Sequence, residues 1–259
     1  MGTEHFLPEL AMLLTAAAVF AAGIAWPDNY RRAHLTALVL GAATVALAAW
    51  DFGASFLGSA EVQVTHASVF YGALKVDIFS QLIKVGLALA FFLVVAISKE
   101  QPGIEPHARS EFFLLLATST VGMMMLASAV ELITIYVSME LASYSLYILV
   151  VLRKHGRIER EAGIKYLIIG AAASAFTLYG MSLLFGMTHT TYLVDMVTTA
   201  GATSPGIVGI IVSDPSILNE PAMLLGMVLV LSGFFFKLAV FPFHFWAPDV
   251  YTGGDNQVI

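Results

Sequence analysis

The sequence predicts an all-α membrane protein of about seven transmembrane helices. Three observations carry this prediction. Hydrophobic residues make up 59% of the 259 positions and charged residues 12%, whereas about a quarter of a soluble chain is charged, so a water-soluble globule could not hide its apolar side chains. Seven apolar stretches each approach the roughly 20 residues needed to cross about 30 Å of hydrocarbon, where only intrahelical hydrogen bonds satisfy the backbone. Basic residues gather in every second connection between those stretches.

In order, the stretches cover approximately 6–26, 34–50, 77–98, 112–128, 130–152, 162–187 and 221–246. The start, "MGTEHFLPEL", lacks the basic n-region of a cleavable signal peptide, so the first stretch is expected to stay as an anchor. The second and fourth are short and are expected to extend into their flanks. The third, fifth and sixth are each interrupted by a charge: Lys84, Glu140 and Lys165. The seventh contains "LSGFFFKLAVFPFHFW", where Pro242 cannot donate the hydrogen bond that the Leu238 carbonyl expects, so this helix should break or kink. The connection from 188 to 220 has no Lys or Arg, and its stretch "TYLVDMVTTAGATS" reads as a plain loop, with a short helix along the interface as the alternative.

Basic residues set the orientation. Arg31 and Arg32 follow the first stretch, Lys99 and Arg109 the third, and Arg153, Lys154, Arg157 and Arg160 the fifth. The opposite connections hold only Lys75, so the amino terminus should face outside and the carboxyl terminus inside. A net charge of −6 argues against a nucleic-acid partner. With no cysteine and seven scattered histidines, the chain lacks iron–sulfur, thiolate-zinc and dithiol chemistry, so no electron-transfer cofactor is expected to be bound.

Function is sought in the charges inside the apolar stretches, because an ionisable residue at the bilayer centre costs about 2.5–3.5 kcal/mol. Glu140 stands roughly 15 Å deep at 1.5 Å per residue, beyond the reach of a carboxylate to the interface. Tyr136, Glu140, Ser143, Tyr144 and Tyr147 recur at helical spacing and form a polar stripe for the bundle interior. Glu131 falls on the opposite face at the amino end and reads as structural. Lys237 precedes the proline break, and interrupted helices in membranes mark polar cavities and ion sites. A desolvated carboxyl and a desolvated ammonium each favour the charged form when the other is charged, so a Glu140–Lys237 pair would act as a proton switch. His244, seven residues beyond Lys237, would return to nearly the same helical face and suits the next relay position. From spacing alone, Lys165 and Lys84 sit near stretch ends, where their stems could carry the ammonium to the interface.

These residues resemble the antiporter-like membrane subunits of respiratory complex I, the proton-pumping NADH-quinone oxidoreductase, in the style of subunit N. The resemblance runs from about residue 77 onward and rests on "FFFKLAVFPFHFWAPDVYTGG", supported by "VELITIYVSMELASYSLYILV" and "EAGIKYLIIGAAASAFTLYG". It implies a proton path in which Glu140 and Lys237 form the central pair, Lys165 is a bridging lysine rather than an interfacial one, and His244 follows. It also implies five-helix units repeated with inverted topology, with other membrane subunits of the complex and membrane lipid as partners. Quinone would be bound and reduced elsewhere, in a bacterial inner membrane, and this chain would catalyse nothing alone. On this reading, residues 1–110 are an amino-terminal three-helix region. Residues 111–259 are an incomplete first repeat, since family members are nearly twice as long. The family's Gly-Ala-Pro-x-Pro-Val is replaced by "GGDNQV", so a different turn is expected after the broken helix. Two rivals share part of the pattern: a subunit of a cation/proton antiporter or membrane-bound hydrogenase, and a structural membrane module that conducts nothing.

Overall fold

Helix ends in this chain are set by local chemistry, and the computed structural model describes them over residues 6–27, 29–57, 67–99, 103–104, 108–152, 157–197 and 203–253. Helix α1 (Leu7–Ala25) carries Pro8 in its first turn, where the missing N–H has no intrahelical partner to lose. Helix α2 runs from Tyr30 to Leu57, longer at both ends than the apolar stretch within it. A short antiparallel pair, β1 (Ala67–Val69) and β2 (Leu74–Val76), precedes α3 (Ile78–Ile97). Asp77 and Ser80 close a reciprocal capping box on α3: the Asp77 side chain accepts from the Ser80 N–H at 2.8 Å and Ser80 Oγ accepts from the Asp77 N–H at 3.0 Å.

Helix α4 (Arg109–Leu126) leads into α5 (Leu132–Val151), whose cap is Glu131. One Glu131 oxygen accepts from both the N–H and the hydroxyl of Thr134, each at 2.7 Å. Burial opposes the charge of this carboxyl, but the hydrogen bonds outweigh it and hold Glu131 below the usual carboxylate range. Helix α6 (Arg157–Thr188) is followed by the pair β3 (Met196–Val197) and β4 (Thr203–Ser204), helix α7 (Ile207–Ser213) and a 3-10 turn over Pro215–Asn219. The described part of "TYLVDMVTTAGATS" has bends and short extended pieces and no helix, in keeping with a loop reading, and α7 starts after it. Helices α8 (Pro221–Lys237) and α9 (Ala247–Gly253) complete the order.

Among the described residues, five helices are long and apolar enough to cross a membrane: α1, α2, α3, α5 and α6. Helix α4, which opens on Arg109 and Glu111, and α8, with 17 residues, are not among them. The seventh stretch is broken, as expected, and the break is wider than a kink at the proline. The sequence suggests one helix to 246, broken or kinked at Pro242; instead α8 ends at Lys237, residues 238–246 turn, and the helix resumes at Ala247. Proline removes the donor for Leu238 and disfavours helical backbone at Phe241, and Ala239 leaves the helix with φ 51°. Of the basic residues that set orientation, Arg153 and Lys154 lie outside the described residues, as does "GDNQV".

Helices α1 to α4 pack together, α4 packs on α5, and α6 is flanked by α5, α8 and α9. Close crossings rely on glycine. A Cβ at Gly122 of α4 would lie 2.6 Å from the Ala142 backbone nitrogen of α5, and one at Gly180 of α6 would lie 2.7 Å from the Gly226 carbonyl oxygen of α8.

Lys84 does not reach for the interface. It is 1% exposed, and its Nζ lies 2.6 Å from Glu9 Oε1, itself 1% exposed, so the pair ties α3 to α1. Removing one partner strands a buried charge, whereas replacing both by apolar groups of similar volume removes the desolvation penalty as well. Glu9→Ala or Lys84→Met alone is therefore expected to cost about 3–5 kcal/mol of stability. Glu9→Leu combined with Lys84→Met should recover most of that loss in a double-mutant cycle read by denaturant unfolding. Additive losses would show that the two charges do not interact.

Candidate functional site

Helix α5 builds one wall of the site. Glu140, Ser143 and Tyr147 of the polar stripe are buried, at 6%, 5% and 3% exposure. Tyr144 departs from the expected stripe: it stands on the outward row with Val137 and Ile148 and is 47% exposed. Helix α6 supplies the second wall, from which the Ser174 hydroxyl donates to Glu140 Oε1 at 2.6 Å. The other Glu140 oxygen, Oε2, is buried with no hydrogen-bond partner among the described residues.

Helix α8 brings Lys237 to this wall from its last residue, the end of the helix whose dipole favours a cation. The ammonium donates to Ser143 Oγ at 2.6 Å and to the Tyr147 hydroxyl at 3.0 Å, and lies 3.6 Å from Glu140 Oε1. Two hydroxyls and a carboxylate thus converge on one ammonium. An aromatic cluster braces it. Tyr147 meets Tyr166 edge-on with ring centroids 4.4 Å apart, and Tyr166 stacks on Trp246 at 4.5 Å. Trp246 Nε1 then donates to the Phe236 carbonyl at 3.0 Å, tying the turn after the break back to the end of α8. The break allows this: because the chain leaves the helix after Lys237, Trp246 can fold back onto the residue that precedes the lysine.

Two of the four residues singled out from the sequence come together here, Glu140 and Lys237. The geometry does not bring Lys165 or His244 to them. Lys165, toward the start of α6, is 46% exposed and pairs with Asp249 of α9 at 2.9 Å and Glu161 at 3.0 Å. His244 is exposed, with its ring 5.6 Å from that of Phe241. The expectation that it shares a helical face with Lys237 is corrected, since no helix joins them and the seven-residue spacing carries no facing relation. Sequence reasoning misses Ser174, Tyr166, Trp246 and Asp249. The signal for Ser174 is present as a lone hydroxyl in "GAAASAF", about three helical turns beyond the start of the apolar run in α6. Among the described residues, no three His, Asp or Glu side chains gather to hold a metal ion.

Residues 129–258 match the family described as NADH:quinone oxidoreductase/Mrp antiporter, TM. The chain belongs to this family. The match spans Glu140, Ser174 and Lys237 together, so the whole site lies within the family's segment. The chain is 40% identical to "NADH-quinone oxidoreductase subunit N 2" of Syntrophobacter fumaroxidans, over 100% of this chain and 49% of that protein. It is 39% identical to the protein of the same name from Solidesulfovibrio magneticus, over 99% of this chain and 49% of that one. The chain spans about half the length of the curated relatives it matches. Among solved structures it superposes on a chain of respiratory complex I from Thermus thermophilus with a TM-score of 0.70 and 27% identity, over 97% of this chain and 48% of that one. A chain of the Mrp complex from Dietzia shares the fold, with a TM-score of 0.73 at 18% identity, over 100% of this chain and 45% of that chain. The antiporter-family likeness read from "FFFKLAVFPFHFWAPDVYTGG" is met, and the match to the subunit N proteins extends further toward the amino terminus than residue 77.

A hydrogen bond to a charged group contributes about 1.5–3 kcal/mol. Ser174→Ala is therefore expected to destabilise the protein by that amount in chemical unfolding, and Ser174→Thr, which keeps the hydroxyl, by much less. Equal losses in the two variants would remove the Ser174–Glu140 bond from the site.

Proposed function

We propose that this chain is the proton-conducting portion of an antiporter-like subunit of an NADH-quinone oxidoreductase, and that the Glu140–Lys237 site is the place in it where protons are held and passed on. The single observation that carries this reading is a buried carboxyl and a part-buried ammonium on different helices, 3.6 Å apart, with the ammonium also donating to Ser143 and Tyr147. Desolvation opposes each isolated charge, and the partner's charge offsets it. The protonation states of the two groups are therefore tied: a proton arriving at one changes which form of the other is stable.

In this reading a proton reaches Glu140 at Oε2, the oxygen that Ser174 leaves unengaged, while Ser174 holds Oε1 toward the lysine. Neutralising Glu140 frees Lys237 to release its own proton through the hydroxyls of Ser143 and Tyr147. Reionisation of Glu140 then draws a proton back to the amine. Lys165 and His244 are assigned to the cytoplasmic end of the same path, beyond the aromatic brace, where Asp249 and Glu161 can exchange charge with Lys165. The chain supplies no redox chemistry to this scheme: quinone is bound and reduced in partner subunits, and the coupling arrives mechanically or electrostatically through neighbouring membrane subunits. We further assign residues 1–110 to an amino-terminal three-helix region and 111–259 to part of the first antiporter-like repeat. The assigned location is a bacterial inner membrane with the amino terminus outside.

The test is quinone-linked proton pumping by the assembled complex in proteoliposomes. A positioned proton-transfer group contributes on the order of 10²-fold or more to a rate, so Glu140→Gln and Lys237→Ala are each expected to lower pumping at least about tenfold. Lys165→Ala and His244→Ala should reduce it less, since neither touches the central pair. Undiminished pumping in both Glu140→Gln and Lys237→Ala would leave a structural membrane module as the reading.

A further inference from the structure

A second feature lies at the other side of the molecule, where α2 begins and α3 ends. Here a cavity of about 530 Å³ has Tyr30, Arg31, His34 and Lys99 in its lining. Its apolar lining comes from Leu35, Leu38 and Ala96. The cations around it are not equivalent. Arg32 is committed to the Trp26 ring, 4.4 Å from its centroid, and Arg109 to the Tyr30 ring at 4.7 Å. The side chains of Arg31 and Lys99 are exposed and form no salt bridge or hydrogen bond with another described residue. His34 is fixed in place, its Nε2 donating to the Val95 carbonyl at 3.0 Å and its ring 5.3 Å from that of Phe113.

The position of the cavity matters as much as its charge. The apolar spans of α2 and α3 start at Tyr30 and stop at Ile97, so Arg31 and Lys99 stand at the boundary where hydrocarbon gives way to headgroups. Below them Leu35 and Leu38 continue into the apolar depth along one face of α2 at helical spacing. The cavity therefore has two ends of opposite character: a doubly cationic mouth with a tyrosine at headgroup level, and an apolar floor at acyl-chain level. A small soluble anion would use the mouth and leave the floor bare. A molecule with a phosphate at one end and a hydrocarbon chain at the other uses both. The volume falls within the range of pre-formed ligand sites, roughly 300–1,000 Å³, and basic pockets between transmembrane helices at this level suit anionic headgroups.

We propose that this cavity is a binding site for one anionic phospholipid, its phosphate held by Arg31 and Lys99 and its first acyl carbons laid on Leu35, Leu38 and Ala96. The site is separate from the Glu140–Lys237 centre and does not depend on that centre's role. Bound there, the lipid bridges the start of α2 to the end of α3 and closes the open end of the three-helix region.

The experiment uses the purified full chain in phosphatidylcholine nanodiscs with increasing fractions of phosphatidylglycerol, read by native mass spectrometry for retained lipid and by thermal unfolding. The wild type is expected to retain one phosphatidylglycerol and to unfold at higher temperature as its fraction rises. Arg31→Gln with Lys99→Gln removes two interfacial cations and should weaken retention at least about tenfold. Ala96→Phe fills the exposed lining without changing charge and should also abolish retention. Arg32→Gln, whose cation is engaged on Trp26, should retain the lipid. If the double variant unfolds in pure phosphatidylcholine, Lys99→Gln alone and Ala96→Phe decide the matter. Equal phosphatidylglycerol retention by wild type and variants overturns the proposal. So does stabilisation by millimolar inorganic phosphate equal to that by the lipid, which would make the mouth a simple anion site, or no response of the wild type to either, which would leave the cavity to a neighbouring protein.

Discussion

The contact between Glu140 of α5 and Lys237 of α8 is the constraint around which the carboxyl half of the described structure is arranged. Two charges in an apolar bundle are tolerable only if they meet and if their remaining valences are filled. The surrounding features serve that condition, except that Glu140 Oε2 has no hydrogen-bond partner among the described residues. Ser143 and Tyr147 repeat along α5 at the spacing that places them beside Glu140, and both accept from the ammonium. Ser174 comes from α6 to engage the carboxylate. The glycine contact between α6 and α8 lets the helix that bears Lys237 approach closely. Helix α8 stops at the lysine itself, which sets the cation at the negative end of the helix dipole and frees the chain to fold Trp246 back onto Phe236.

The molecule handles charge in three distinct ways. At Glu9–Lys84 both groups are sealed at 1% exposure and in direct contact at 2.6 Å, an arrangement suited to holding two helices together. At Glu140–Lys237 the pair is looser, 3.6 Å apart, and the ammonium also donates to two hydroxyls, an arrangement that offers a proton further acceptors. At Lys165 the partners Asp249 and Glu161 share an exposed ammonium, and such surface pairs contribute little to stability. Separation, burial and the hydroxyls around the ammonium, rather than the mere presence of Glu and Lys, distinguish the candidate functional pair from the structural one.

Much of this is legible in the sequence because lipid imposes a coarse and strict grammar. Apolar runs locate the helices, and a charge within such a run has to be explained, which singles out Glu140 and Lys237. What escapes depends on contacts between residues far apart in the chain. Nothing along the sequence links Glu9 to the third stretch, so Lys84 has no visible partner and reads as interfacial. Pro242 marks where helical hydrogen bonding fails, but not whether the chain bends and continues or unwinds and restarts. For that reason the helical face expected to carry His244 does not exist. The brace of Tyr166 and Trp246 joins residues on separate elements, and no periodicity along one helix can reveal it. Helix α7 has only seven residues, too few for a periodic signal to stand out from the loop around it.

The most direct measurement exploits the absence of cysteine from the native sequence. Cysteines introduced in pairs at positions 140 and 237, 140 and 165, and 140 and 244 can be challenged in membranes with a short bifunctional thiol reagent, and the cross-linked fraction read by mass spectrometry. The expected result is efficient bridging between 140 and 237 and little at the other two pairs. Bridging at 140/165 or 140/244 that equals or exceeds bridging at 140/237 would contradict the meeting of Glu140 and Lys237 in one buried site.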